Sequence, residues 1–325
     1  MPKVSICIPT YNQGRYIGEC VRSALNQTLD DIEVIVSVNH CTDDTEEVLK
    51  GFSDPRLVIV KPPEFLQMFD NFNFCISHVK GRYFTFLCSD DILFPEFAAL
   101  QSMVLDEHQN VVFVHSAAEL INKDGRVVGR EKSIHKSFVR KGTEEIRRYI
   151  YGPRCVGDTA MIRKSAYDMV GGFKSLKIIG DWDLWLRLLQ VGDVAYNQQT
   201  LLKYRYWLDE EGTRSHTQRL LTQAEETIAL YEEYEPKLLE KHHDLRNDFA
   251  RARERQALSF VFSLASVDDI ELRGRIADAI LRLSNSWRVR LVLNALNIGA
   301  GPALLLWRSF KLGLRQKVKA LLYPN

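Results

Sequence analysis

Two pairs of carboxylates sit where chemistry could use them. Asp90 and Asp91 directly follow the apolar run Tyr83-Phe84-Thr85-Phe86-Leu87, and Asp181 and Asp183 open the pattern Gly180-Asp181-Trp182-Asp183-Leu184-Trp185-Leu186-Arg187. Adjacent acids at a strand end repel unless a cation relieves them. A hard divalent ion, Mg²⁺ or Mn²⁺, shared with a diphosphate would do so. Alternatively, Asp90 or Asp91 caps the helix that starts near Pro95. At the Gly180-Asp181 junction a helix N-terminus favours a carboxylate whatever its function. One of these acids could take a proton from an attacking hydroxyl, although helix capping is the plainer reading of the pair taken alone.

A third polar loop, Pro9-Thr10-Tyr11-Asn12, follows the apolar run Val4 to Ile8. The Tyr11 ring could stack on a base, and the Asn12 amide could fix the loop. Neither GxxxxGK[ST] nor a GxGxxG after the first strand is present, which argues against kinases and dinucleotide dehydrogenases. The eight histidines show no metal-ligand spacing; His242 and His243 would point apart on a helix, and His115 reads as a satisfied structural group. The six cysteines form no CxxC pair, so no disulfide framework or zinc knuckle is suggested, and a reducing cytoplasm fits.

These loops need strands to carry them. Candidate strands are Val4 to Ile8, Ile32 to Val38, Leu57 to Val60, Tyr83 to Leu87 and Val111 to Val114. Tyr16, Ile17, Cys20, Val21, Ala24 and Leu25 recur at helical spacing, as do Phe69, Phe72, Cys75, Ile76 and Val79. This rhythm predicts an α/β protein with a Rossmann-like, mostly parallel sheet. In such sheets ligands bind beyond the carboxyl ends of the strands, here after Ile8, Val38 and Leu87. A turn is expected at Asn122-Lys123-Asp124-Gly125 and several helices between Thr217 and Leu283. With 325 residues, 46% hydrophobic and 26% charged, the chain reads as a soluble globular protein, not a disordered or multi-span one.

The ordered set of pieces resembles the family 2 inverting glycosyltransferases, which have the A-type glycosyltransferase fold. The likeness runs from Val4 to about Tyr206: Val4-Ser5-Ile6-Cys7-Ile8-Pro9-Thr10-Tyr11-Asn12, Ala24-Leu25-Asn26-Gln27-Thr28, Glu33-Val34-Ile35-Val36, Thr42-Asp43, Asn73, Ser89-Asp90-Asp91, Gly171-Gly172-Phe173 and Gly180-Asp181-Trp182-Asp183. The resemblance implies that Pro9, Thr10 and Tyr11, with Asn39, hold the nucleotide base, with Asn12 beside them in the donor-binding loop. It places Asn73 and Asp90 along the ribose and phosphates, Asp91 on a divalent metal, and Asp181 as the catalytic base. The implied enzyme is a metal-dependent, inverting, hexosyltransferase-type catalyst acting on a nucleotide-diphosphate sugar, of UDP or dTDP type.

Three positions depart from the family pattern. Val38-Asn39 replaces two acids after the second strand, so the base pocket would rely on the Asn39 amide. Phe72 stands where an arginine is common, and Lys61, Arg82 or Arg205 would have to supply the missing phosphate partner. Cys88 replaces a third acid. The QxxRW motif of processive synthases is absent, which implies addition of one sugar or a few per encounter. A catalytically inactive nucleotide-sugar-binding or scaffold protein on the same fold is the alternative.

Beyond Asp278 the chain carries no acid but eight basic residues, Arg282, Arg288, Arg290, Arg308, Lys311, Arg315, Lys317 and Lys319, mixed with Trp287, Leu291, Trp307 and Phe310. That mixture suits an interfacial helix on anionic lipid, with packing in the protein as the alternative. Leu291 to Trp307 is too short and interrupted for a membrane span. The expected organisation is a catalytic domain over 1–215, a helical region over 216–283 and a basic amphipathic tail over 284–325. The expected setting is the cytoplasm, peripheral at the inner face of the cell membrane. There the acceptor would be a glycan or polyprenyl-diphosphate-linked sugar in synthesis of a cell-surface, O-antigen-like polysaccharide. Nucleic acid is not expected as a partner.

Overall fold

The structure, a computed structural model, describes residues 1–131, 136–206, 212–264, 267 and 269–297, with 212–218 and 297 described by backbone alone. Its first half is β1 (Val4–Thr10), α1 (Gly14–Leu25), β2 (Ile32–Val38), α2 (Thr45–Lys50), β3 (Leu57–Val60), α3 (Met68–Ser77) and β4 (Tyr83–Phe86). All residues of β1, β2 and β4 are buried, as expected of parallel strands covered on both faces. They pair in parallel in the order β3-β2-β1-β4. The chain therefore leaves β1 first toward one side and later returns on the other. That reversal opens a crevice above the carboxyl ends of β1 and β4.

The second half is β5 (Ile92–Leu93), α4 (Phe97–Glu107), β6 (Val111–Ile121), β7 (Val127–Glu131), β8 (Phe138–Arg140), α5 (Gly142–Tyr149), β9 (Met161–Arg163), α6 (Lys164–Met169), α7 (Gly180–Leu188) and β10 (Asp193–Arg205). Here the sheet is mixed. β10 runs parallel to β6, while β9 joins β4 to β6 in antiparallel fashion. β5 and β8 also pair antiparallel with β10, and β7 with β6. The expectation of a mostly parallel sheet thus describes the first half; the short antiparallel strands β5, β8 and β9 carry too few residues to show a period of their own. The turn at Asn122–Gly125 closes the β6–β7 hairpin, with Gly125 at φ 79° and the Asn122 side chain accepting from the amides of Asp124 and Arg126.

The chain divides into residues 1–208 and 209–325. The second unit holds α8 (Gly212–Lys241), α9 (Arg246–Leu264), α10 (Ile270–Leu283) and α11 (Trp287–Asn297). Ile228, Tyr231, Phe249, Val261, Ile276 and Ile280 form its core. Of the segment expected as a separate tail, α11 buries Val289, Leu293 and Leu296 along one face, and Ser286 and Arg288 both reach Glu254 of α9. The rest of that segment, residues 298–325, lies outside the described residues. No described helix is long and apolar enough to cross a membrane.

At the amino ends of the strands, Ser5 Oγ donates to Glu33 (2.5 Å) and accepts from the Gly81 amide (2.9 Å), while Glu33 also accepts from the Lys80 amide. A Cβ at Gly81 would come within 2.7 Å of that Ser5 oxygen and 2.8 Å of its nitrogen. Gly81→Ala is expected to destabilise the protein by ~1–3 kcal/mol through overpacking. The effect reads out as a lower urea midpoint with an unchanged m-value.

Candidate active site

Loops leaving the carboxyl ends of β1, β2 and β4 converge at the crevice. Asn12 takes a left-handed conformation (φ 51°), and its Oδ1 accepts from the Thr42 amide at 2.8 Å. Asp43 accepts from the amides of Gly14 (2.8 Å) and Thr45 (3.1 Å), stitching the start of α1 to the start of α2. Thr42-Asp43 is therefore an architectural device. Pro9 and Thr10 are buried inside β1 and shape the loop from below. Tyr11 stands out of it, 48% exposed, with Phe65 (50% exposed) edge-on at 5.1 Å. Two exposed rings at a sheet edge form a platform on which a base can stack. Phe65 escaped the sequence reading because it sits 54 positions from Tyr11 in a loop with no periodicity.

Two expected ligand residues are engaged by the protein's own backbone. Asn39 is buried and spends both amide atoms on the Leu66 backbone (2.8 and 2.9 Å), which holds the Phe65 loop. Asn73 accepts from Tyr167 Oη (2.6 Å) and the Phe173 amide (3.0 Å) and donates to the Phe173 carbonyl (2.8 Å). It clamps the Gly171-Gly172-Phe173 turn, whose glycines sit at φ 80° and 73°. The neighbouring Phe72 packs among Phe69, Phe86 and Phe173. That position faces the core, so an arginine there would be a buried cation.

The three candidate cations also sort themselves. Arg82 begins at the opposite end of β4 and binds Gln109 and Asp106. Lys61 pairs on the surface with Glu46 at 2.7 Å. Arg205, 3% exposed at the end of β10, donates through Nε to the Asp90 carbonyl (2.9 Å) and through Nη1 to the carbonyls of Asn122 (2.9 Å) and Lys123 (3.2 Å). Its guanidinium lies over the Tyr16 ring and reaches Glu19.

Of the Asp pair that follows β4, Asp91 is buried. The Asp91 amide closes a tight turn onto the Cys88 carbonyl, and Asp91 Oδ1 accepts from the Arg205 amide at 2.7 Å. The side chain is 1% exposed, and Oδ2 has no hydrogen-bond partner. Asp90 is half-buried. A third carboxylate, Asp158, accepts from the Cys88 amide. Burial pushes Asp91 well above the usual carboxylate range, and the charges of Asp158 and Asp90 raise it further; burial likewise pushes Asp158 up to about 6. At Cys88 the chain brings the carboxylate of Asp158 to the backbone. No sequence signal links positions 70 residues apart. Among the described residues, no group of three or more His, Cys, Asp or Glu side chains has metal-holding geometry.

The second pair separates by role. Asp183 is 2% exposed and ion-paired to Arg187 (2.6 Å) and Lys174 (3.0 Å). Asp181 is half-buried, and its Oδ1 accepts from the Trp182 amide at 2.7 Å at the opening of α7. Among the described residues it has no ion-pair partner. Desolvation raises it to about 6.

A cavity of about 350 Å³ lies beside these groups, with Pro153, Arg154, Cys155, Tyr204 and Tyr206 in its wall. Segment 153–158 carries both neighbourhoods. Burial and then the Asp181 charge push the Cys155 thiol up, while Asp158 at the other end touches Cys88 and raises Asp91. The volume lies in the ~300–1,000 Å³ range of small-molecule sites.

The family profile described as Glycosyl transferase family 2 matches residues 5–171. An uncharacterized glycosyltransferase of Rickettsia typhi is 30% identical over 73% of this chain and 73% of its own length. The chondroitin synthase of Pasteurella multocida is 30% identical over 59% of this chain but only 19% of that longer protein. Among solved structures, S. aureus TarS 1-349 in complex with UDP-GlcNAc aligns with a TM-score of 0.58 at 18% identity, covering 91% of this chain and 92% of that one. The mannosyltransferase PcManGT from Pyrobaculum calidifontis, in complex with GDP-Man and Mn²⁺, aligns at 0.55 and 14%, covering 93% and 86%. The fold is therefore that of the A-type glycosyltransferases. The chain belongs to glycosyltransferase family 2, a family with relatives in polysaccharide synthesis.

The two aspartates of α7 should differ in stability measurements. Asp183→Ala strands a largely buried Arg187 and is expected to cost ~3–5 kcal/mol, seen as a lower melting temperature. Asp181 behaves oppositely. Its folded-state pKa of about 6 exceeds the unfolded ~3.9, so the stabilisation of its protonated form is complete below the unfolded value and lost as pH rises through the folded one. Asp181→Asn at pH 7.5 is expected to melt no lower than the unsubstituted protein.

Proposed function

We propose that this protein is a metal-dependent, inverting hexosyltransferase. It moves one sugar, or a few, from a UDP- or dTDP-type donor to a hydroxyl of a glycan or lipid-linked acceptor in cell-surface polysaccharide synthesis. The observation that carries this reading is Asp181: half-buried, raised to about 6, without an ion-pair partner among the described residues, and joined through segment 153–158 to the carboxylates at the end of β4. Inversion needs one base, because the acceptor oxygen attacks the anomeric carbon while the diphosphate leaves from the opposite face. A carboxylate with a pKa near 6 is a better proton acceptor at neutral pH than an unperturbed one. Asp183 is held by Arg187 and Lys174 and is assigned to structure.

The residues beside β4 fit a divalent cation. Asp91 Oδ2 is a buried acceptor without a donor, and Asp90 and Asp158 add negative charge that a bound cation would offset. Such ions are often held by one or two carboxylates plus substrate phosphates, not by an all-protein cage. Asp91, with Asp90 beside it, is assigned to hold the ion, which when bound offsets charge on the departing diphosphate. Tyr11 and Phe65 are assigned to the base, with Pro9, Thr10, Asn12 and Asn39 shaping their loops and Asn73 the turn before α7. The Mn²⁺ named with PcManGT and the UDP-GlcNAc named with TarS support this donor and metal class.

Exposed Trp287 (70%) and Leu291 (60%) on α11, flanked by Arg288 and Arg290, support contact with an anionic membrane and hence a lipid-linked acceptor at the inner face. The double substitution Trp287→Ser, Leu291→Ser leaves the buried face of α11 untouched. It is expected to reduce flotation with anionic vesicles at least several-fold; unchanged flotation removes this support.

Transfer is tested with a panel of nucleotide sugars and Mn²⁺. Asp181→Asn is expected to lower kcat/KM by ~10²–10⁴, and Asp91→Ala to abolish Mn²⁺-dependent donor binding by calorimetry. Below about pH 6, log kcat/KM should climb with unit slope as Asp181 ionises and then level off. Wild-type rates in Asp181→Asn would refute the assigned base.

A further inference from the structure

His115 is not the satisfied structural histidine that the sequence suggests. It lies on β6, 2% exposed, and its Nδ1 has no hydrogen-bond partner. Burial and then nearby Arg154 pull its pKa down to about 3, so the ring is neutral and has one N–H to give. A buried polar atom left unpaired is costly and calls for a partner.

The ring borders a cavity of about 60 Å³ whose wall includes Arg140, Glu145, Arg148, Tyr149 and Arg154. Glu145, 3% exposed, is shared by Arg140 (2.9 Å) and Arg148. Arg154 has no hydrogen bond or ion pair among the described residues. Among the described residues, three guanidiniums against one carboxylate leave two positive charges uncompensated around a space too small for a sugar ring but several times the ~10–15 Å³ that a water needs. Arg154 also lines the 350 Å³ cavity beside Cys155, so one side chain belongs to both spaces. Among the described residues, the acid in the wall of the larger cavity is Glu131, and the smaller one is basic.

We propose that the smaller cavity receives a phosphoryl group carried by the acceptor, with its sugar in the larger cavity toward Asp181. Two uncompensated charges match a phosphate dianion better than a carboxylate, and guanidinium forks match phosphate oxygens. The neutral His115 supplies an N–H to a phosphate oxygen through Nδ1. Arg154 is the specificity residue where the two spaces meet. This inference rests on the larger cavity being the transfer site.

The test uses the full chain labelled with ¹⁵N-histidine, titrated at pH 7.5 and constant ionic strength with inorganic phosphate or with glucose 1-phosphate. The His115 ring signals are identified by their loss in His115→Gln. Both probes are expected to shift these signals saturably. Glucose 1-phosphate should bind about tenfold tighter because its sugar fills the larger cavity, and Arg154→Gln should weaken both at least tenfold. Still signals in a folded chain, or binding indifferent to Arg154→Gln, overturn the site. Equal or tighter binding of inorganic phosphate assigns the cavity to a free anion and overturns the acceptor role. Nucleotide-sugar binding with Mn²⁺, measured separately, reports on the transferase reading, so the two can fail independently.

Discussion

Negative charge gathered at the carboxyl end of β4 against its own repulsion is the constraint around which the first unit is organised. Asp90, Asp91 and Asp158 meet there in surroundings that raise Asp91 and Asp158. Arg205 is the protein's own partial answer. Its amide binds Asp91, its side chain binds the Asp90 carbonyl and the β6–β7 turn, and its guanidinium covers Tyr16 of α1. One residue at the end of β10 thus ties the acidic turn to three other elements. It leaves Asp91 Oδ2 unpaired, which is the opening a cation would use.

Polar networks at the two ends of the sheet do different work. At the amino ends, Ser5, Glu33 and Gly81 saturate one another, and Asp106 takes Lys3, Tyr83 and Arg82. At the carboxyl ends, exposed rings, an orphan carboxylate oxygen and a raised Asp181 remain. The reversal of strand order between β2 and β4 puts that crevice where connecting segments do not cover it.

Much of the fold was legible because buried parallel strands are continuous apolar runs. Ile32–Val38 and Leu57–Val60 have the expected bounds, and the Gly180-Asp181 junction opens a helix. Motif residues were legible as positions but less so as roles. Asn39 and Asn73 turned out to clamp backbone, because an amide can satisfy one peptide group with both its atoms and a string of letters does not say whether that peptide is near. Phe65, Asp158 and Arg154 gave no signal, since each acquires meaning only from a partner in a distant loop.

By itself the sequence determined the α/β class, the order of the strands along the chain, the family and the set of acids available for chemistry, because periodicity and ordered motifs are local properties. Tertiary structure alone decided which acids are paired and which are not. Asp183 has Arg187 and Lys174, Asp91 keeps a lone oxygen, and Asp181 is desolvated, which raises its pKa. The physical reason is that desolvation and charge pairing depend on distances between side chains tens of residues apart, and only packing sets those distances.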